Sequence, residues 1–222
     1  MSRRMPMFPL GTVLVPHGIL PLHVFEPRYR VLMFDCLRGE PEFGVVLIER
    51  GSEVGGDDQR FAVATVARIV EATELADGRW VVLALGGRRI DVREWLPEDP
   101  YPVALVDERA ELPWPVGDAG AAGAAGAAAA AGAAGAALAA AERAVRRMLA
   151  LAAELGEEVA PADVGLSDDP VVAAWQLLAV APIASLDKQR LLGTDDHIER
   201  LRALEQMAEE HAVLLAYRLK RE

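Results

Sequence analysis

A tract with almost no side-chain volume separates two different hydrophobic periodicities in this chain. Residues 117–141 hold 17 alanines, 6 glycines, one aspartate and one leucine. A protein core needs interdigitating side chains, so the cores must be built from the residues on either side. Alanine favours helix, but each glycine in a helix costs about 1 kcal/mol relative to alanine. Six glycines undo much of that preference, and the GAAGAAG rhythm lacks the proline of a collagen helix. The tract is therefore expected to be a flexible linker, assigned to residues 114–137, with helix resuming from about Ala136. That leaves a strand-rich domain at 1–113 and a helical domain at 138–222.

Strand patterns dominate before the tract. Residues 60–75 include FAVATVARIV, rich in β-branched and small residues. Asp77-Gly78 is a hairpin signal, and residues 79–85 (RWVVLAL) pair back. Gly86-Gly87 punctuates, and RRIDVREW then alternates, with Ile90 and Val92 on one side and Arg89, Asp91 and Arg93 on the other. Residues 43–48 (FGVVLI) form a continuous apolar run, the pattern of a strand buried on both faces. Several short strands at close spacing point to a small barrel or sandwich.

One helix interrupts them. Pro27 suits a first helical position and Glu26 the positive end of the helix. Tyr29, Leu32, Met33, Cys36 and Leu37 make one apolar stripe, and Gly39 is expected to close it in the left-handed conformation. Cys36 on that stripe reads as a structural thiol.

After the tract the period becomes helical. Val145, Met148, Leu149, Ala152 and Leu155 form a stripe ending at Gly156. Asp169-Pro170 reads as N-cap and first residue of the next helix, with Trp175 and Leu178 inward and Pro182 as stop. Ser185 or Asp187 opens a short helix closed by Gly193. Thr194 caps a long last helix that carries Leu201, Leu204, Ala208 and Leu215 on one side, with His211 packed on the same stripe.

The charge excludes some functions. Basic residues number 13 against 18 acidic ones in 1–116, and 10 against 16 in 117–222, so neither half is a basic surface for phosphates. One cysteine permits no internal disulfide and no multi-cysteine metal site. The four histidines form no ligand set, so neither metal nor cofactor is expected. The start of the chain is broken by Pro6, Pro9 and Gly11, unlike a signal peptide, and a cytoplasmic protein is expected. There is no Walker loop, nucleophile elbow or H-E-x-x-H motif. Ser185-Leu-Asp-Lys188 matches a serine–lysine spacing, but Lys188 sits among Asp187, Gln189 and Arg190 and reads as solvated, and Ser185 reads as an N-cap. No catalytic residue is assigned.

The N-terminal motifs carry a resemblance. Phe8-Pro-Leu-Gly-Thr-Val-Leu-Val-Pro16, Leu20-Pro-Leu-His-Val-Phe-Glu-Pro-Arg-Tyr-Arg30 and Phe43-Gly-Val-Val-Leu-Ile48, with Gly51 and Glu53-Val-Gly55, resemble the Lon protease N-terminal domain family. The likeness continues through Val63-Ala-Thr-Val-Ala-Arg-Ile69 and Gly86-Gly-Arg-Arg-Ile90 to Lys188-Gln-Arg-Leu-Leu192. It implies an α+β chain, a PUA-like β pseudo-barrel followed by a C-terminal α-helical bundle, of the kind also found as a stand-alone bacterial protein. It implies recognition without the ATPase and peptidase modules, and so a non-enzymatic module that binds polypeptide segments or a protein partner, a Lon-type protease among the candidates. The alternatives are a specificity subunit or degenerate peptidase of such a system, or an RNA-binding barrel, against which the negative charge speaks. No nucleic acid, no membrane, and a monomer or weak dimer are expected. Phe8, Leu10, Val13, Leu14, Leu22, Val24 and Phe25 read as barrel core. His17, Arg28 and Tyr29, taken as exposed members of the motif, and Trp80 and Trp114, as aromatic anchors beside Trp95 and Tyr101, are the candidate partner-binding residues.

Overall fold

The structure is a computed structural model that describes residues 2–50, 59–116 and 124–221. The quoted motif at 51–55, the acidic stretch around it and the start of the Gly-Ala tract lie outside the described residues. The chain divides into two compact units, Met1–Glu111 and Leu112–Glu222.

Among the described residues the first unit holds seven strands and one helix: β1 (Arg3–Leu10), β2 (Ile19–Val24), α1 (Pro27–Arg38), β3 (Glu42–Arg50), β4 (Gln59–Arg60), β5 (Val63–Glu74), β6 (Trp80–Leu96) and β7 (Val103–Glu108). Five strands close a ring in the order β1-β7-β6-β5-β3 and back to β1, while β2 pairs with β6. β1 closes the ring by changing partner midway. Its residues Arg3 to Pro6 run antiparallel to β7, and Met7 to Leu10 run parallel to β3. Pro6 sits at the exchange, where a residue without an N–H disrupts the ladder least.

The ring explains the continuous apolar runs. Met5 and Met7 of β1 join Val46, Ala64, Val66, Ile90, Ala104 and Val106 in one core cluster. Phe8 and Leu10 join Leu22, Tyr29, Leu32, Met33, Phe43 and Val45 in a second cluster that includes the inner stripe of α1. Alternate residues of β1 and β3 thus enter different cores, and both faces must be apolar.

β6 is longer than the pattern indicates. It runs unbroken through Gly86-Gly87, with register shifts against β5 and β7 that let one strand serve three partners. The glycines mark a close approach instead of a break: a Cβ on Gly86 would collide with the Val15 carbonyl, and the backbone bonds Gly86 N–H to Gly18 O (2.8 Å) and His17 N–H to Gly86 O (2.7 Å) lie there. The Asp77-Gly78 turn is present, with Gly78 at φ +77. Gly39, by contrast, follows α1 at φ −112, which is not left-handed; its N–H reaches Asp35 O and Cys36 O. Phe25, expected in the core, is 58% exposed, because β2 ends at Val24 and the chain turns into α1.

Arg89 is buried, contrary to its expected outward position beside Asp91 and Arg93. Arg109 N–H bonds to Arg89 O (3.0 Å), carrying the chain past β7 so that Glu111 meets the Arg89 guanidinium at 3.2 Å. Another ionic node joins three strands: Glu42 of β3 accepts from Arg88 of β6 (2.9 Å) and Arg3 of β1 (3.2 Å).

The second unit holds α2 (Ala124–Glu154), α3 (Pro170–Val180), α4 (Ser185–Gly193) and α5 (His197–Leu219). Here the linker expectation is corrected. The helix begins by Ala124, well before Ala136, and runs through Gly126, Gly132 and Gly135. The physical reason is packing. Ala134, Ala137, Ala141, Ala144 and Met148 form a buried stripe, and Leu201, Leu204, Ala208, Ala212 and Leu215 form its counterpart on α5, against which α2 packs. Alanine lets two helices approach closely, and tertiary burial outweighs three glycine penalties of about 1 kcal/mol each. The Arg218–Glu157 ion pair (2.6 Å) ties the end of α5 to the residues just beyond α2.

The caps also shift. Asp169 accepts from Val171 N–H (2.9 Å) and Val172 N–H (3.2 Å), as expected. Asp196, not Thr194, caps α5 by accepting from Glu199 N–H (2.8 Å). Thr194 instead follows α4 and donates to Arg190 O (3.1 Å). Ser185 is the first helical residue and Ala184 occupies the N-cap.

Two outcomes follow from this packing. Ala141→Leu is expected to destabilise the protein by about 1–3 kcal/mol through overpacking, with Ala139→Leu on the exposed side nearly neutral, read from urea midpoints. Hydrogen bonds from Arg88 above all, then Arg3, hold Glu42 below the usual carboxylate range. A lowered folded-state pKa gives stability that is full above the unfolded value and lost as pH falls through the folded one. Glu42→Gln is therefore expected to cost stability at neutral pH, by an amount that shrinks as pH is lowered stepwise through that window.

Candidate functional site

α1 presents two faces because its apolar residues fall on two stripes. Tyr29, Leu32, Met33 and Cys36 point into the core. Val31 and Phe34, three apart, lie on the opposite side and stay 41% and 50% exposed. Arg38 covers part of the Phe34 ring at 5.1 Å. Across from this outer stripe stands the β5–β6 hairpin, where Glu74 and Trp80 are direct cross-strand partners. Between them lies a groove of about 400 Å³ lined by Pro27, Arg30, Val31, Phe34, Glu74 and Trp80.

On the other side of β6 from Trp80, the outer face of the β2–β6 pair is also apolar. Ile19, Val81 and Leu83 are 70%, 37% and 36% exposed, with Ile19 opposite Leu85 and Pro21 opposite Leu83. Both surfaces leave large apolar side chains in water.

The five predicted binding residues are not assembled. Tyr29 is buried, stacked on Phe8 with ring centroids 4.1 Å apart, so the expectation that it is exposed is corrected. Its phenol ring belongs to the core stripe it was also assigned to. Arg28 is committed to Glu26 (3.2 Å) and Glu98 (3.7 Å) and lies over the Tyr29 ring at 4.6 Å. Glu26 occupies the N-cap position but makes no side-chain cap bond. His17 is exposed at φ +60 in the turn that meets Gly86. Trp80 is six residues along β6 from Gly86, about 20 Å in a strand. Trp114 belongs to the second unit, its ring 5.3 Å from His197. Only Trp80 lines the groove.

Arg30, Val31, Phe34 and Glu74 were missed. The available signal was Phe34: a large aromatic on the polar side of an otherwise amphipathic helix. Tyr101 is half-buried at the core margin, where it donates to Asp35 (2.8 Å); burial first, then that carboxylate, pushes its pKa up to about 12. Trp95 is covered by Arg60 at 4.3 Å.

The histidine expected to be buried was His211, but it is His197 that is. Its Nε2–H donates to Leu112 O (2.7 Å) and its Nδ1 accepts from Arg200 (2.8 Å), while Arg200 stacks on Trp175 at 3.7 Å. Lys188 is half-buried, not solvated. Its ammonium donates to Ala179 O (3.0 Å), and burial lowers its pKa. No hydrogen bond joins Ser185 to Lys188 among the described residues, so the serine–lysine spacing does not form a dyad here.

The family model for the ATP-dependent protease La (LON) substrate-binding domain matches residues 4–210. The chain belongs to this family. It is 32% identical over 105 residues to the Lon protease of Anaeromyxobacter dehalogenans, covering 46% of this chain and 12% of that protein. It is 24% identical over 209 residues to Lon protease 1 of Myxococcus xanthus, covering 90% of this chain and 23% of that one. The chain therefore spans less than a quarter of the length of these relatives. The crystal structure of a Lon N-terminal domain protein from Xanthomonas campestris aligns over 91% of this chain and 96% of its own, at 25% identity and a TM-score of 0.58. The N-terminal domain of the Mycobacterium avium complex Lon protease aligns over 94% and 100%, at 18% identity and 0.62, a likeness of fold. The α+β order of barrel and helices is thus that of Lon N-terminal domains, and what is matched is the substrate-binding part of a Lon protease.

Within this LON domain the single thiol is not a reactive site. Burial, then the Asp35 carboxylate, pushes Cys36 up to about 12, and its Sγ–H donates to Glu42 O (3.4 Å). In mildly alkaline buffer, native protein is expected to resist an aromatic disulfide reagent that labels one thiol once guanidinium unfolds the chain.

Proposed function

We propose that this chain is a non-enzymatic polypeptide-binding module that holds apolar side chains of extended or unfolded segments on the barrel. The observation that carries this reading is the groove between α1 and the β5–β6 hairpin, where Phe34, Val31 and Trp80 leave apolar surface in water on rigid elements. Membership in a substrate-binding family supports the same reading. Arg3, Arg28, Arg60, Arg79, Arg88, Arg93 and Arg109 each meet a carboxylate, which spends on internal pairs the cations a nucleic acid would need. No helix among the described residues is long and apolar enough to cross a membrane.

The test uses a reduced, carboxymethylated protein that stays unfolded, with its native form as control. Capture of the unfolded form alone is expected. Phe34→Ser, on the exposed face, is expected to weaken it by about fivefold or more. Equal capture of native and unfolded forms would sink the reading. Casein is expected to remain intact with or without ATP, and cleavage lost in Lys188→Ala would replace this reading with a peptidase.

A further inference from the structure

The groove contains a charge pattern that an apolar patch does not need. Arg30 projects from α1 across the turn of the β5–β6 hairpin, where a Cβ on Gly78 would collide with its guanidinium. Arg30 is a half-buried residue, yet among the described residues its side chain makes no ion pair and no hydrogen bond. Eight other arginines of the barrel each meet a carboxylate. Glu74 lines the facing wall of the same groove and is likewise without an ion pair among the described residues. An apolar slot is thus flanked by one open cation on the helix side and one open anion on the strand side.

We propose that the groove receives the C-terminal residue of a partner polypeptide, with an apolar side chain between Phe34 and Trp80 and the α-carboxylate on Arg30. This rests on the polypeptide-binding reading above and narrows it. A chain terminus carries its carboxylate and its side chain on one residue, so both reach a small groove together. An internal aspartate or glutamate puts its charge on a different residue from the apolar group and forces the chain to continue over the wall. About 400 Å³ is at the small end of ligand pockets, which run from about 300 to 1,000 Å³, and suits one or two residues better than a long segment. Guanidinium binds carboxylate with two parallel hydrogen bonds, and partial burial strengthens them. Glu74 accepts the N–H of the last peptide unit and repels a second acid. A chain of net charge −11 repels acidic polypeptides in general, which leaves Arg30 as a local selector.

The probe is a fluorescein-labelled Gly/Ser peptide ending in one phenylalanine with a free carboxylate, read by fluorescence anisotropy against the full chain. Its C-terminal amide, and an isomer with phenylalanine in the middle, are the comparisons. The free acid is expected to bind about tenfold or more tightly than either. Arg30→Gln should remove that preference, Arg30→Lys should restore part of it, and Glu74→Gln should weaken acid and amide alike while leaving the preference in place. Thermal melts confirm that each variant is folded. Equal binding of acid and amide overturns the C-terminal assignment while leaving polypeptide binding intact. So does capture of unfolded protein with no binding of the free acid. Failure of both the peptides and unfolded protein to bind removes the broader reading as well.

Discussion

β1 has two partners and two faces, and all four are committed. Its first half is hydrogen-bonded to β7 and its second to β3, and its side chains alternate between the two core clusters. The parallel β1–β3 pairing turns an open sheet into a ring, and Pro6 at the partner exchange lets one strand belong to both sides of the seam. The ring then fixes everything attached to it. α1 lies on the cluster containing Phe8 and Phe43, and Tyr29 reaches down to stack on Phe8. The 17 residues of β6 carry β2 at one end and β7 at the other. A slip of β1 by one residue would exchange the two cores along its length, so the register is strongly specified.

Buried charge is handled differently in the two units. In the barrel, the buried Arg89 guanidinium is met by the Glu111 carboxylate at 3.2 Å. In the helical unit, Arg200 is held by a carbonyl, an imidazole nitrogen and the face of Trp175. A buried cation loses several kcal/mol of hydration, and both solutions recover part of it with directional contacts. The Arg200 cluster also specifies geometry: it orients His197 so that Nε2–H meets Leu112 O, which pins the start of the helical unit to the first turn of α5.

Much of this was legible in the sequence, because period and punctuation are local. FGVVLI announced a strand covered on both faces, Asp77-Gly78 a hairpin, and Asp169-Pro170 a helix start. The larger misses share a cause: each depends on a residue distant in sequence, whereas the shifted α5 cap at Asp196 is a matter of two positions. The alanine tract looks unstructured until α5 supplies the surface that Ala134 and Ala141 bury against. Arg89 looks exposed until Glu111 returns over it. Tyr29 was counted both as a core residue and as a ligand contact, and only the stacked Phe8 decides between them. The groove was hidden for the same reason, since one wall is a helix and the other a hairpin whose lining residues come forty or more positions later.

That origin gives the groove its character. α1 is held by its inner stripe, so the outer stripe is presented without having to stabilise the fold. The facing wall, with Glu74 and Trp80 paired across β5 and β6, is part of the closed ring. Both walls are therefore ordered before any ligand arrives, and Arg30 is placed by the Gly78 turn beneath it. A preformed slot spares a ligand the entropy of ordering the site, which is how a small groove can hold one residue usefully. The same rigidity sets its limit. A partner longer than the slot must leave it, because Ile19, Val81 and Leu83 belong to the opposite face of the β2–β6 pair from Trp80. Selectivity then belongs to the Arg30 end, and affinity to the apolar walls of the slot itself.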